Sequence, residues 1–453
     1  MTRRSAERDR FYRERDSRTT EYEAGLLRWV EAPVAIAIGP AAAETRAGQI
    51  AVLAAVNIAA RLHRNLILDV PRVPLVARSL VPARSLDEAA EATVRAIDPY
   101  GQLATRRVTA AGLGLAIACD IELPVHVGWS GLAASVGTTP QQADASERSV
   151  LGAALAACIG TAALVRAVTG GQIPNQTASL TDFSDQPGGA CVQMPVDVGD
   201  VLVVGAGAVA SALLYWLREL GVSGRWVIVD RDDLLLLNTN RAIGSLVEQT
   251  EWYGRTPSPK AIASATLIGA EPRVAWYDEW LGAESGFVPS LVLPLANDRN
   301  VRQLVGYRGE PLLVHATTSR NWTAELHRHV AGVDECIACR FPGSETAAFA
   351  CSTAPLPGPA SRSTDAALPF LSAAAGLLLA RALMLHMQGR LVELDRNFIR
   401  LGLGAGQPGL GRFARQFAPA RTGCAHVASP DIRAALAAAR EGIAASRSAA
   451  DSR

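Results

Sequence analysis

The segment VLVVGAGAVASALLYWLRELGVSGRWVIVD, residues 201–230, constrains the fold more than any other part of the chain. Four apolar residues read as a buried strand, a Gly-Ala-Gly turn follows, then apolar residues at helical spacing, then a second apolar strand ending on Asp230. A strand, glycine turn, helix and strand of this length form a βαβ unit, which calls for a parallel sheet with helices on its faces. Gly205 permits the tight bend, Gly207 lets backbone approach a phosphate, and Ala210 allows close packing of helix on strand. The helix N-terminus favours an anion. Asp230, 25 residues after Gly205, stands where a carboxylate accepts hydrogen bonds from ribose hydroxyls. The reading is nucleotide binding, with a relict turn as the alternative.

The first half carries the same plan without the glycine motif. PVAIAIGPAAAETRAGQIAVLAAVNIAARLHRNLILDVP (33–71) reads as strand, turn, amphipathic helix and strand ending near Asp69. LPVHVGWSG suggests another strand and Val150–Val168 a buried helix; SLVLPLAND, EPLLVHATT and an apolar helix over Leu368–Leu385 follow in the second half. The halves read as two diverged copies of one α/β unit, or as unrelated βαβ patterns. The expected divisions are a charged arm over 1–28, an α/β domain over 29–170, a linker over 171–196, a second α/β domain over 197–430 and a helix or tail over 431–453.

Composition removes several function classes. Hydrophobic residues make up 49% and charged residues 19%, so the chain has material for a large core and is not disordered. With 44 basic and 43 acidic residues there is no net field to steer nucleic acid or a membrane. The apolar runs Val150–Val165 and Ala366–Ala380 fall short of the ~20 residues of a bilayer span and read as buried helices. The charged N-terminus has no apolar run of a secretory signal behind it, and seven scattered cysteines make no disulfide framework, so a cytoplasmic protein is expected. Of the 44 basic residues all are arginine except Lys260. Arg-favouring codon usage explains the bias, but not the lysine that remains.

After Asp230 the sequence turns away from hydride transfer. VDRDDLLLLNTNRAIG sets Asn238 eight and Arg241 eleven residues beyond it, and Lys260 follows in GRTPSPKA. Together with ECIACRFPG, the cysteine of AFACSTAP, the helix LPFLSAAAGLLLARAL and RTGCAHV, this resembles the ubiquitin-activating (E1) superfamily, which includes bacterial enzymes that adenylate sulfur carriers, over about 230 residues from Asp197 to Val427. The resemblance implies a Rossmann-like α/β adenylation fold, with the first half a diverged, inactive adenylation-like pseudo-repeat. It implies ATP as substrate, with Gly205, Gly207 and Asp230 on the nucleotide and Arg241 and Lys260 on its phosphates, while Asn238 bonds a phosphate or fixes Arg241. Magnesium would sit on a carboxylate in Asn297-Asp298-Arg299-Asn300-Val301-Arg302. Alignment on Arg302 points to Asn297, whereas a hard cation prefers Asp298.

The resemblance also implies a structural zinc on Cys336, Cys339, Cys424 and His426, although the one-residue spacer in Cys424-Ala-His426 is unusual. Empty or free thiols are the alternative. Cys351 stands at the family's crossover position, where some members form a thioester and others dispense with the cysteine. Cys119, Cys158 and Cys191 read as inert, His315 as a core or loop histidine, and His327 and His329 as weak candidate ligands. Arg13 in RDRFYRERD is the nominal arginine that an arm supplies to the phosphates, against a solvated charge run. Implied partners are a small ubiquitin-like or sulfur-carrier protein with a Gly-Gly-type C-terminus and an E2-like acceptor, with a homodimer or intramolecular pseudo-dimer as the working unit. The competing functions are adenylation of a ribosomal peptide without a catalytic cysteine, a non-catalytic scaffold and, most remotely, a dehydrogenase.

Overall fold

The computed structural model describes residues 3–17, 29–108, 112–146, 149–186, 197–283, 287–307, 310, 312–319, 321–342, 368–422 and 424. The first sheet is built from β1 (Val34–Ile38), β2 (Asn65–Asp69), β3 (Gln102–Thr105), β4 (Gly114–Ile117), β5 (Val125–Ser130), β6 (Ala133–Gly137) and β7 (Gln176–Ser179), in the order β3-β2-β1-β4-β5-β6-β7. The second holds β8 (Asp197–Val204), β9 (Ser223–Val229), β10 (Glu271–Arg273), β11 (Leu291–Pro294), β12 (Leu312–Thr318), β13 (Thr323–Val330), β14 (Phe398–Gly402) and β15 (Phe413–Gln416), in the order β10-β9-β8-β11-β12-β13-β14-β15. In both, the first five strands in chain order pair parallel and the rest antiparallel. The two sheets therefore share one strand order and one pattern of strand sense.

The span expected as a linker departs from that reading. Gln176–Ser179 is an edge strand on β6, and Leu180 and Phe183 are buried beyond it. Its polar residues hid a short strand whose pairing comes from a distant neighbour.

Helices α1 (Arg3–Arg15), α2 (Pro40–Ala43), α3 (Arg46–Ala60), α4 (Leu86–Ile97), α5 (Val150–Val168), α6 (Ala208–Leu220), α7 (Lys260–Ala265), α8 (Tyr277–Ala283), α9 (Arg299–Tyr307), α10 (Ile337–Arg340) and α11 (Pro369–Met387) connect the strands. Their ends follow local chemistry: the Thr45 hydroxyl accepts from Gly48 N at the start of α3, and left-handed Gly221 (φ 71°) ends α6. α5 and α11 are apolar on all sides because protein surrounds them. They are long and apolar enough to cross a membrane by length and composition, yet 89% of each apolar window is buried. One hydrophobic core runs through α3, α5, α6 and α11 and joins both halves. At Gly376 a Cβ would stand 2.5 Å from the Leu213 nitrogen, so α11 and α6 cross at backbone contact.

The charged arm folds in part as α1 and docks. Phe11 is buried between Tyr100 of the first half (centroids 5.1 Å apart) and Trp252 of the second (5.2 Å). Arg15, fully buried, pairs with Asp16 (2.6 Å) and Asp98 (3.1 Å), and Arg64 pairs with Asp16 at 2.9 Å. The sequence suggested a solvated charge run, but a carboxylate faces each buried cation here and offsets part of its desolvation cost. Arg13 itself is exposed.

Candidate functional site

The carboxyl ends of β8, β9 and β11 converge on the glycine turn. Gly205 has φ 97°, and a Cβ on it would stand 2.4 Å from the Ala296 nitrogen, so both conformation and the neighbouring strand end require glycine. Gly207 differs. Its φ is −75°, it caps α6, and a Cβ there would meet nothing within 4 Å. Among the described residues nothing in the packing demands glycine at 207, whereas a ligand approaching the backbone would.

Asp230 closes the turn from the next strand. Its carboxylate accepts from Ala206 N (2.6 Å) and Asp232 N (2.8 Å). Burial pushes its pKa up, opposed by the Ala206 N–H and the Lys260 charge. Lys260 opens α7, and its Nζ bonds Asp232 at 2.7 Å. The lysine is thus brought beside Asp230 through Asp232, the third residue after β9.

The loop between them is held from two directions. Asn238 spends its side-chain oxygen on Leu235 N (3.0 Å), which stabilises the 3-10 turn Leu236–Asn238, and its backbone carbonyl accepts from Arg241 N (3.2 Å). The backbone of Arg241 is thereby tied to Asn238. From the first half, Arg61 at the end of α3 donates to the carbonyls of Thr239, Ile243 (3.2 Å) and Ser245 (2.9 Å), while Asn57 donates to Ile243 O at 2.9 Å. Burial lowers the Arg61 pKa to about 9. Sequence reading passed over Asn57 and Arg61, because helix-period residues facing another half look like any amphipathic helix.

Asp298 N-caps α9, accepting from Asn300 N at 2.7 Å. Arg302 is buried and donates to Ala296 O at 2.7 Å, tying α9 to the strand end that faces Gly205. The second Asp298 oxygen suits a hard cation, so the residue fits magnesium as a carboxylate at the carboxyl edge.

The sulfur cluster forms beyond the end of β13, next to the bridge between Asp334 and Pro419. Ligand atoms of Cys336, Cys339 and Cys424 lie within 4.8 Å of one another, with the sulfurs of Cys336 and Cys424 3.3 Å apart. Distant segments meet because Glu335 N bonds Ala418 O (2.8 Å) and the Glu335 carboxylate binds Arg421 (2.8 Å) and Arg340 (3.2 Å). Burial foremost pushes the Cys336 thiol up to about 12. Three convergent soft donors fit zinc, which holds such sulfurs as thiolates. His426 and Cys351 lie outside the described residues, as does Cys191. Cys158 is buried and Cys119 partly so; burial raises both thiols.

His315, His327 and His329 are not in the sulfur cluster. They stack on the β12–β13 pair, with His315 4.4 Å from His327 and 4.9 Å from His329. His329 Nδ1 faces the Glu335 carbonyl, so its Nε2 accepts from His315 Nδ1 at 3.0 Å. Burial lowers all three pKa values.

Residues 33–182 match the BilD N-terminal domain family. Uncharacterized protein y4jF of Sinorhizobium fredii (strain NBRC 101917 / NGR234) is 28% identical over 238 residues, which cover 49% of this chain and 43% of that protein. The chain thus spans less than half the length of the curated relative it matches. Two solved structures resemble it at a TM-score of 0.36: E. coli MccB with ATP, at 11% identity, and the Microcin C7 biosynthetic enzyme MccB with N-formylated MccA, at 12%, each over 50% of this chain and 66–67% of the other.

Proposed function

We propose that this chain, which resembles the E1-like adenylyltransferases, uses ATP to adenylate the C-terminal carboxylate of a small protein or peptide. The observation that carries the reading is the open space over Gly207 at the head of α6, beside Asp230 and the Lys260–Asp232 pair. In the reaction a carboxylate oxygen attacks the α-phosphorus, the bond to the bridging oxygen breaks, and pyrophosphate leaves with its electron pair. Positioning and neutralisation of charge dominate such a step. Gly207 admits the phosphates to backbone N–H groups, Asp230 takes the ribose hydroxyls, and Lys260 and Arg241 bring positive charge to the phosphates. Arg13 remains a candidate for a further phosphate contact. Asp298 would hold Mg2+, which neutralises phosphate charge when bound. Cys336, Cys339 and Cys424, with His426, would hold a structural Zn2+ with no open position for catalysis.

The preferred substrate is a ubiquitin-like or sulfur-carrier protein ending in Gly-Gly. The match of residues 33–182 to the BilD N-terminal domain is in keeping with this choice, and a ribosomal peptide is the second reading. On this reading the first half is an inactive adenylation-like repeat that makes the chain its own pseudo-dimer, with 171–196 joining the halves. Cys351 would then attack the acyl carbonyl, expelling AMP and forming a thioester for an E2-like acceptor.

The test is intact mass after incubation with Mg-ATP and a small ubiquitin-like protein ending in Gly-Gly, for wild type and Cys351→Ser. A reductant-labile adduct absent from the variant supports the full reading. AMP-carrier without an enzyme adduct limits the chain to adenylation. No pyrophosphate exchange with any substrate offered refutes catalysis and leaves a scaffold.

A further inference from the structure

We propose that Trp276 and Arg231 form the platform against which the nucleotide's base stacks, an assignment that rests on the adenylation reading above. β8, β9 and β10 lie side by side and parallel. Their carboxyl ends carry, in that order, the Gly205–Gly207 turn, Asp230 and the segment 274–276. Asp230 N bonds Arg273 O at 3.1 Å, which joins the second and third of these ends. At about 4.8 Å between neighbouring strands, the end of β10 stands about 10 Å from that of β8. A mononucleotide laid along this edge, phosphates at the head of α6 and ribose at Asp230, carries its base to the end of β10.

What stands there is an indole that the core does not use. Trp276 is 45% exposed, the most exposed tryptophan among the described residues, and nearby Val274 is 49% exposed. The next aromatic residues on the same segment, Tyr277 and Trp280, turn inward to the second core cluster. The Arg231 guanidinium, one residue after Asp230, lies 4.6 Å from the centroid of the Trp276 ring. The exposed Arg231 guanidinium therefore sits over the indole, and the two groups together offer one surface that is both aromatic and cationic. Bases stack on aromatic rings and on guanidinium planes alike. A purine covers more of such a surface than a pyrimidine, so the platform also selects for ATP over UTP. Arg231 adds positive charge on the path from base to phosphates.

Calorimetric titration of the full chain with Mg-ATP and with inorganic tripolyphosphate tests the assignment, for wild type, Trp276→Ala and Trp276→Phe. A lost base stack corresponds to an ATP affinity about five- to 150-fold weaker in Trp276→Ala. Trp276→Phe is expected to recover most of it, tripolyphosphate binding to be unchanged, and the ATP-induced change in tryptophan fluorescence to disappear in both variants. Equal ATP affinity in wild type and Trp276→Ala overturns the platform and leaves adenylation standing. Equal losses for ATP and tripolyphosphate also overturn it, since the substitution then acts on the fold. Absence of ATP binding in wild type overturns both readings together.

Discussion

Replacing Arg61 with methionine tests whether the first half shapes the nucleotide site rather than only covering it. Arg61 is buried at the end of α3, and its guanidinium bonds the carbonyls of Thr239, Ile243 and Ser245, on the loop that carries Asn238 and Arg241. Methionine fills the same channel without donors. Ile243 O keeps Asn57 Nδ2, so three acceptors, the Thr239 and Ser245 carbonyls and Asn57 Oδ1, lose their Arg61 donor. A buried acceptor left unmade costs about 1–3 kcal/mol, giving about 3–9 kcal/mol gross. Among the described residues no carboxylate pairs with the guanidinium, and burial lowers its pKa, so removing the charge recovers part of its desolvation penalty. The net expectation is about 1–4 kcal/mol of lost stability. Urea unfolding measures that quantity. Pyrophosphate exchange, assayed well below the unfolding transition, should fall by about tenfold or more because the Asn238–Arg241 loop loses its fixed position. Arg61→Lys should recover part of both. Unchanged exchange in a variant that is measurably destabilised would refute the positioning role, and unchanged stability would refute the hydrogen-bond accounting.

Gly207→Val should leave the melting temperature within a few degrees while abolishing ATP binding, whereas Gly205→Ala should cost stability outright, because φ 97° and Ala296 oppose a Cβ; thermal unfolding with and without ATP separates the two. Glu219 is 1% exposed with Oε1 unpartnered, and burial raises its pKa from 4.5 to about 7. Between those values the unfolded state binds fewer protons, so this group makes stability fall as pH rises from about 4.5 to 7, by up to about 3 kcal/mol. Glu219→Gln should remove that fall in urea titrations at pH 5 and 8. The purified chain should carry close to one zinc by elemental analysis, lost in Cys336→Ser, and a chelator should lower its melting temperature. Phe11→Ala should cost about 3–5 kcal/mol by emptying the space between Tyr100 and Trp252, read by the same urea assay.

Much of the site was legible because local sequence dictates it. The glycine turn, Asp230 and the helix they flank are consecutive in chain and in space, and period-2 and period-3.6 apolar patterns write the βαβ unit directly. The α5 and α11 helices were equally plain, since residues buried on every side leave an unbroken apolar run. Lys260 was legible for a different reason, as the single lysine among arginines. None of this needed a distant contact.

Only the tertiary structure could decide what depends on partners far along the chain. Arg61 reads as one more arginine until Thr239 and Ser245, about 180 residues on, turn their carbonyls toward it. Arg15 and Phe11 look solvated until Asp98 and Trp252 close around them. Gln176–Ser179 becomes a strand because β6 offers an edge, and Asn238 and Asp298 become caps because backbone N–H groups at new helical turns need acceptors. Hydrophobic periodicity is a property of neighbours in sequence and survives in a string of letters. The pairing of a buried charge or an orphan carbonyl is a property of neighbours in space, and it exists only after the chain has closed on itself.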